Sequence, residues 1–203
     1  MMAVPRVDDY LTEASYHRYV GATDANLNLI HGRAAANGLD TSHLELIGAT
    51  HHDLHKDIEL AWCSAWAQFT LAAKHTVGDN GGQYYLIDDT VPSAPVIVPG
   101  WRTKYLRQYF RYIRPGALRV GATSTHFGIE PLMFQHATVG DVLVAKCNAG
   151  RTFHVVGLEA GTYGVRYTTS TEDDVDAGDV ALIPGQIPTV SIPSFGVITV
   201  YRK

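Results

Sequence analysis

The residues best suited to chemistry sit in three short apolar runs, two of which end at a glycine. Tyr16, His17 and Tyr19 fall in residues 14–20, before Gly21. Glu45 falls in residues 43–47, between Leu44 and Leu46 and before Gly48. Trp66 and Gln68 fall in residues 64–72. A carboxylate among apolar neighbours is costly to bury unless it is paired or used. A Trp and a Tyr near it would suit the apolar face of a sugar ring, with polar neighbours left for the hydroxyls. Taken singly, each residue has a plainer reading: Glu45 as an edge-strand side chain facing solvent, Trp66 and Tyr19 as core packing. Their succession on three consecutive runs favours a site.

Other constellations are weaker. His51 and His55 stand one helical turn apart, as metal ligands can, but the zincin pattern needs Glu directly after the first His and His52 occupies that place. No third ligand is indicated by spacing, so the segment reads as a solvated helix start with Asp53 near its N-terminus. The run Glu172-Asp173-Asp174-Val175-Asp176 lacks the glycine and distal Glu of an EF-hand and reads as a solvated turn. There is no Gly-x-Ser-x-Gly elbow, and Gly81-Gly82 is a turn without a phosphate-binding helix after it. Cys63 and Cys147 read as core residues, too few for a disulfide framework or a zinc site. No metal or cofactor is expected.

The elements that must position these residues alternate at first. A strand-like run over 14–20 is followed by a helix capped by Thr23 or Asp24 and stopped at Asn37-Gly38. The run 43–47 is followed by a helix from about His52 with Leu54, Ile58, Ala61 and Trp62 on one stripe. Residues 64–72 read as a third strand, with a continued helix as competitor. Residues 75–101 form a long connection containing a small hairpin over 84–87 and 96–98. A helix over 102–113 then closes at Pro115-Gly116. Beyond it, residues 118–122, 142–147, 152–156, 164–169, 180–183, 189–192 and 197–201 read as short strands of a β-sandwich or barrel. The expected fold class is therefore α/β followed by all-β, with domains 1–115 and 116–203. The βα units of the first domain belong to a parallel sheet, and three of them cannot close a barrel of eight.

Composition narrows the partners. The 203 residues carry 16 Lys and Arg against 20 Asp and Glu, a formal charge of −4, without the basic excess of a nucleic-acid binder. With 46% apolar and 18% charged residues the chain is globular in type. No apolar stretch approaches the ~20 residues of a membrane-spanning helix. The start, MMAVPRVDDYLTEAS, lacks the pattern of a signal peptide.

Four stretches, Tyr16-His17-Arg18-Tyr19, His43-Leu44-Glu45, Ser64-Ala65-Trp66 and the segment from Tyr109 to Gly116, follow one another in the order seen in glycoside hydrolase family 30 and its close relatives. The Tyr-Phe-Arg-Tyr-Ile-Arg-Pro-Gly-Ala stretch is the most specific match and resembles a last barrel helix running into a sandwich. Residues 157–163 and 192–197 are similar too. The resemblance runs from about Tyr16 to the end of the chain. It implies the last three βα units of a (β/α)8 barrel with a C-terminal antiparallel β-sandwich. It also implies Glu45 as the nucleophile of a retaining β-glycosidase acting on β-linked poly- or oligosaccharides. Trp66 would lie under the reacting sugar, and His17, Tyr19 and Gln68 would line its subsite. The parent enzyme would be a secreted one; the chain itself assigns no localisation.

The chain departs from that family in one respect. Retaining hydrolysis uses two carboxyl groups about 5–5.5 Å apart. The family's acid/base is a Glu after Asn at the end of strand four, and no Asn-Glu dipeptide occurs here. The sandwich of the family also takes strand material from upstream. The chain is thus expected to be a C-terminal fragment, a truncated product or partial reading frame, inactive alone and completed by an N-terminal half of the barrel. The alternative is a non-catalytic carbohydrate-binding or structural β-sandwich module, and a metal enzyme using His51 and His55 is a weaker third reading.

Overall fold

The structure is a computed structural model, and it describes residues 9–203. The reading of the first eight residues as lacking a signal peptide lies outside the described residues. The chain is mixed α/β, mostly strands, with three α-helices among the described residues. It divides into two compact units between Thr103 and Lys104. That division falls inside a helix, ahead of the Pro115-Gly116 turn at which the sequence shifts in composition. No helix of the described residues is long and apolar enough to cross a membrane.

The first unit begins with a β-α-β-α-β succession: β1 (Glu13–His17), α1 (Asp24–Ala35), β2 (Asp40–Glu45), α2 (His51–Leu60) and β3 (Cys63–Trp66). The three strands are parallel and lie in sequence order, as expected of consecutive βα units. Thr23 caps α1, accepting from the Asn26 N–H. Thr50 and Asp53 form a reciprocal capping box on α2. Local sequence thus starts both helices, and Lys56 on α2 reaches Asp24 on α1 at 2.6 Å.

Two expectations change here. The helix start at His51 is not solvated: His51 and His55 are buried with Leu54, because positions 51, 54, 55 and 58 share one stripe at helical spacing. Trp62 falls beyond that stripe, after α2 has ended. The expected strand over 64–72 is two strands, because the chain changes sheets at Gln68. The Ala67 N–H still donates to the His43 carbonyl, whereas the Thr70 N–H donates to Gly82. Strand β4 (Thr70–Lys74) then pairs in parallel with β5 (Gln83–Asp88), and β5 pairs antiparallel with β6 (Val96–Pro99). The hairpin expected within 75–101 is this β5–β6 pair. A bond from the Gly100 N–H to the Tyr84 carbonyl continues its ladder.

Asp57 holds the parallel sheet to α2. Its buried carboxylate takes three donors: the Tyr16 hydroxyl at 2.7 Å, Arg18 Nη1 at 2.6 Å and Trp66 Nε1 at 2.9 Å. Arg18 also reaches Asp53 at 3.3 Å. One helix residue thereby fixes side chains of β1, β3 and the segment after β1.

The second unit contains most of α3 (Trp101–Phe110) and an antiparallel six-stranded sheet. In spatial order the sheet runs β12 (Val175–Leu182), β11 (Gly161–Thr169), β14 (Gly196–Arg202), β9 (Val142–Cys147), β8 (Ile129–Gln135) and β7 (Leu118–Val120). A two-stranded sheet of β10 (Arg151–His154) and β13 (Thr189–Ile192) accompanies it. Strand β8 was not expected, since Pro131 and the turn-rich residues before it obscure its alternation. The core joins Ile129, Leu143, Ala145, Val155, Tyr163, Ile192 and Ile198. Gln108 of α3 is fully buried; it donates to Thr168 Oγ1 and accepts from Thr199 Oγ1, both at 2.9 Å. The acidic run is not simply a solvated turn. The Asp174 carboxylate is 8% exposed, pairs with Arg111 at 2.6 Å and accepts from the Tyr112 hydroxyl.

Replacing Asp57 with Ala leaves the Tyr16 and Trp66 donors without their acceptor and the buried Arg18 guanidinium with Asp53 as its remaining carboxylate. A loss of about 3–5 kcal/mol is expected, read as a lowered urea midpoint. An unchanged midpoint would show that the Asp57 cluster does not hold the unit.

Candidate active site

Glu45 is the last residue of the middle parallel strand, at the strand end where βα architectures place their sites. The ladder between β1 and β2 runs Tyr16 to His43 and then His17 to Glu45, leaving Leu44 as an extra residue. Such a bulge re-aims the side chains beyond it, and here it sets Glu45 level with His17. The Tyr19 hydroxyl donates to Glu45 Oε1 at 2.6 Å and accepts from the Ile47 N–H at 3.1 Å. The His17 and Tyr19 rings lie 6.0 Å apart. The hydrogen bond to Glu45 raises the Tyr19 phenol above its ordinary pKa, so at neutral pH the phenol is protonated and donates. His17, Tyr19 and Glu45 are thus brought together.

Trp66 and Gln68 are held by other partners. Trp66 stacks on His43, with ring centres 4.9 Å apart, and its indole N–H goes to Asp57. Gln68 is buried at the crossing between sheets, and its backbone N–H donates to the Tyr84 hydroxyl. Arg18, between His17 and Tyr19, points the other way to Asp57 and Asp53, and its backbone N–H reaches the Glu45 carbonyl at 3.4 Å. The ion pair therefore fixes the backbone that presents His17 and Tyr19.

Sequence reasoning missed His43, Asp57 and Arg18. A signal existed for Asp57, which stands three residues after Leu54, beside the apolar stripe of α2. His43 is fully buried between the Tyr16 and Trp66 rings, and neither ring nitrogen has a hydrogen-bond partner. Burial lowers its pKa, although Asp57 opposes the shift. Burial likewise raises the Tyr16 phenol, with the Asp57 charge adding to it. The Cys63 thiol is pushed up to about 12 by burial. It therefore stays protonated and unreactive at neutral pH, accepting from the His43 N–H and donating to the Ala65 carbonyl.

No protein-family model matches the chain, and no curated protein sequence matches it significantly. Solved structures do resemble it. A family 30 subfamily 8 xylanase from Clostridium acetobutylicum aligns over 98% of this chain and 50% of its own, at 15% identity and a TM-score of 0.73. A family 30 endoxylanase from Clostridium papyrosolvens aligns over 97% and 50%, at 14% identity and a TM-score of 0.69. A conserved exported protein from Bacteroides fragilis aligns over 93% and 45%, at 18% identity and a TM-score of 0.72. The chain has a fold like that of the aligned halves of these family 30 structures. At these identities the likeness concerns fold alone, and the chain spans about half the length of each of these structures.

A neutral buried His43 makes stability depend on pH. Its folded pKa lies below the free value of about 6.5, so the unfolded chain takes up the proton first. Stability therefore falls as pH drops through that window. Denaturant midpoints at pH 7.5 and 5.5 should show a smaller loss for His43→Phe than for the unsubstituted protein. Equal losses would remove His43 as the cause.

Proposed function

We propose that this chain is the nucleophile-bearing portion of a retaining β-glycosidase, with β-linked poly- or oligosaccharide as the ligand. In this reading β1, β2 and β3 are the last three strands of a (β/α)8 barrel, and the second unit is the fused sandwich. The observation that carries it is the Glu45 carboxylate at the end of the middle parallel strand, gripped by Tyr19 with His17 alongside. The likeness to family 30 xylanases supports the fold half of the argument.

In the double-displacement mechanism Glu45 Oε attacks the anomeric carbon as the glycosidic C–O bond breaks. A second carboxyl group protonates the departing oxygen and then deprotonates the water that frees the sugar. Tyr19 orients the nucleophile by donating to one carboxylate oxygen. His17 would accompany it at the sugar subsite. Trp66 and Gln68 belong to the subsite in the same proposal, although each has a partner elsewhere in the first unit. The second carboxyl group would come from an N-terminal half of the barrel, since no Asn-Glu pair occurs in the sequence.

Each unit has an unfilled groove that supports an upstream complement. In the first, about 320 Å³ lies beside the open edge of β1, between Leu11, Tyr16, Ile30 and Leu39. In the second, about 1000 Å³ lies over Ile129, Pro131, Met133, Leu143 and Ala145, along β10. Three of those floor residues belong to the hydrophobic core. An aliphatic floor of that kind suits an added strand better than a sugar, which weighs against the sandwich acting by itself as a carbohydrate-binding module.

The chain combined with an upstream barrel half bearing the Asn-Glu acid/base should hydrolyse aryl β-xylosides or β-glucosides. Glu45→Gln should lower that rate by about 1000-fold or more, and Tyr19→Phe by about tenfold. Equal activity with Glu45→Gln would end the assignment.

A further inference from the structure

Two asparagines of this chain precede a glycine, Asn37 before Gly38 and Asn80 before Gly81. Both are exposed. A following glycine has no Cβ to hinder attack of its backbone nitrogen on the asparagine side chain. The two settings differ. After α1, Asn37 Nδ2 donates to the Arg33 carbonyl at 2.7 Å, and the Gly38 N–H donates to the Ala35 carbonyl at 3.1 Å. No base or donor serves the amide there. In the turn before β5, the Gly81 N–H donates to the carboxylate oxygen Asp79 Oδ1 at 3.3 Å, and the Gly82 N–H donates to Asn80 Oδ1 at 2.8 Å. A base faces the nitrogen that must lose a proton, and a donor faces the oxygen that must gain charge. Asp79 is itself held: its Oδ2 accepts from the Trp101 N–H at 2.6 Å. Arg102 Nη1 donates to the Asp79 carbonyl at 3.0 Å and stands 3.5 Å from Oδ1. Gly81 is buried against that guanidinium, where a Cβ would lie 3.0 Å from Arg102 Nη1. A positive charge therefore adjoins the peptide that would react.

We propose that Asn80 is a self-modifying site, converted to aspartate and isoaspartate through a succinimide closed by Gly81, with Asp79 as the base. The Gly81 nitrogen bonds to Asn80 Cγ while Asp79 Oδ1 takes its proton. The Cγ–Nδ2 bond then breaks, and Nδ2 leaves as ammonia with the proton returned from Asp79. Water opens the five-membered ring at either carbonyl, restoring the N–H and giving aspartate or isoaspartate. The product places a carboxylate, and as isoaspartate an extra backbone methylene, in a turn packed on the segment after Glu45. A Cβ at Gly81 would lie 3.0 Å from Gly48 Cα, and one at Gly82 would lie 3.3 Å from the Ile47 side chain. The Ile47 N–H donates to the Tyr19 hydroxyl, so the modified turn adjoins the loop that positions Tyr19. The chemistry at Asn80 does not rest on the glycosidase reading.

Peptide mapping by mass spectrometry of the whole chain, aged at neutral pH, reads the conversion at each asparagine. In the folded chain Asn80 should convert about tenfold faster than Asn37. In guanidinium chloride the two should convert at similar rates, because both precede glycine and neither keeps its setting. Asp79→Asn keeps an acceptor for the Trp101 N–H and removes the base, so Asn80 should slow to the rate of Asn37. The proposal is overturned if Asn80 in the folded chain converts no faster than Asn37, or if its excess persists in denaturant. It is also overturned if Asp79→Asn, with its thermal midpoint unchanged, keeps the excess. Should that variant lose its fold, the comparison of folded and denatured unsubstituted chain decides. Neither readout uses a glycoside, so failure of the hydrolysis assay would leave the proposal standing.

Discussion

A single buried carboxylate organises the first unit. Asp57 is removed from water, a state that requires its charge to be met in full. It is met by the guanidinium of Arg18 and by the Tyr16 and Trp66 donors, which come from opposite edges of the parallel sheet. The helix that carries Asp57 is consequently locked in rotation. The segment leaving β1 is also locked in direction, because Arg18 must face the helix side. His17 and Tyr19, its immediate neighbours, then turn toward Glu45. The geometry of the exposed site is set by a charge pair that does not itself touch the site.

The second unit uses the same device less strictly. Gln108 reaches from α3 to Thr168 and Thr199 on adjacent strands, so a neutral amide fixes the helix against the sheet. Asp174 sits at a left-handed turn before β12, and its backbone N–H donates to Thr168 Oγ1 while its side chain takes Arg111 and Tyr112. Polar groups specify which elements meet, while the apolar residues of β9, β11 and β14 supply the burial.

Patterns that depend on local sequence were legible. Thr23 and Thr50 mark helix starts, glycines end the runs, and the bounds of β9 and β13 follow from their apolar alternation and flanking turns. Glu45 stood out as a carboxylate among leucines, and it does end a parallel strand. What escaped notice depends on long-range contact. The break between β3 and β4 follows from Thr70 finding Gly82. The bulge at Leu44, which sets Glu45 opposite His17, exists only in the pairing of two strands and leaves no mark in the spacing of either.

Strand β6 illustrates how an exposed apolar run can remain unsociable. Val96, Ile97 and Val98 form an edge that would ordinarily recruit another strand. The Gly100–Tyr84 bond fixes which peptide groups face β5, and by alternation Pro95, Ile97 and Pro99 face outward. Two of those three lack an N–H. A foreign strand approaching this edge would find a single donor, too few to propagate a ladder. The most apolar border of the first unit thus deters cross-β growth through its imino acids, with no charged side chain standing guard.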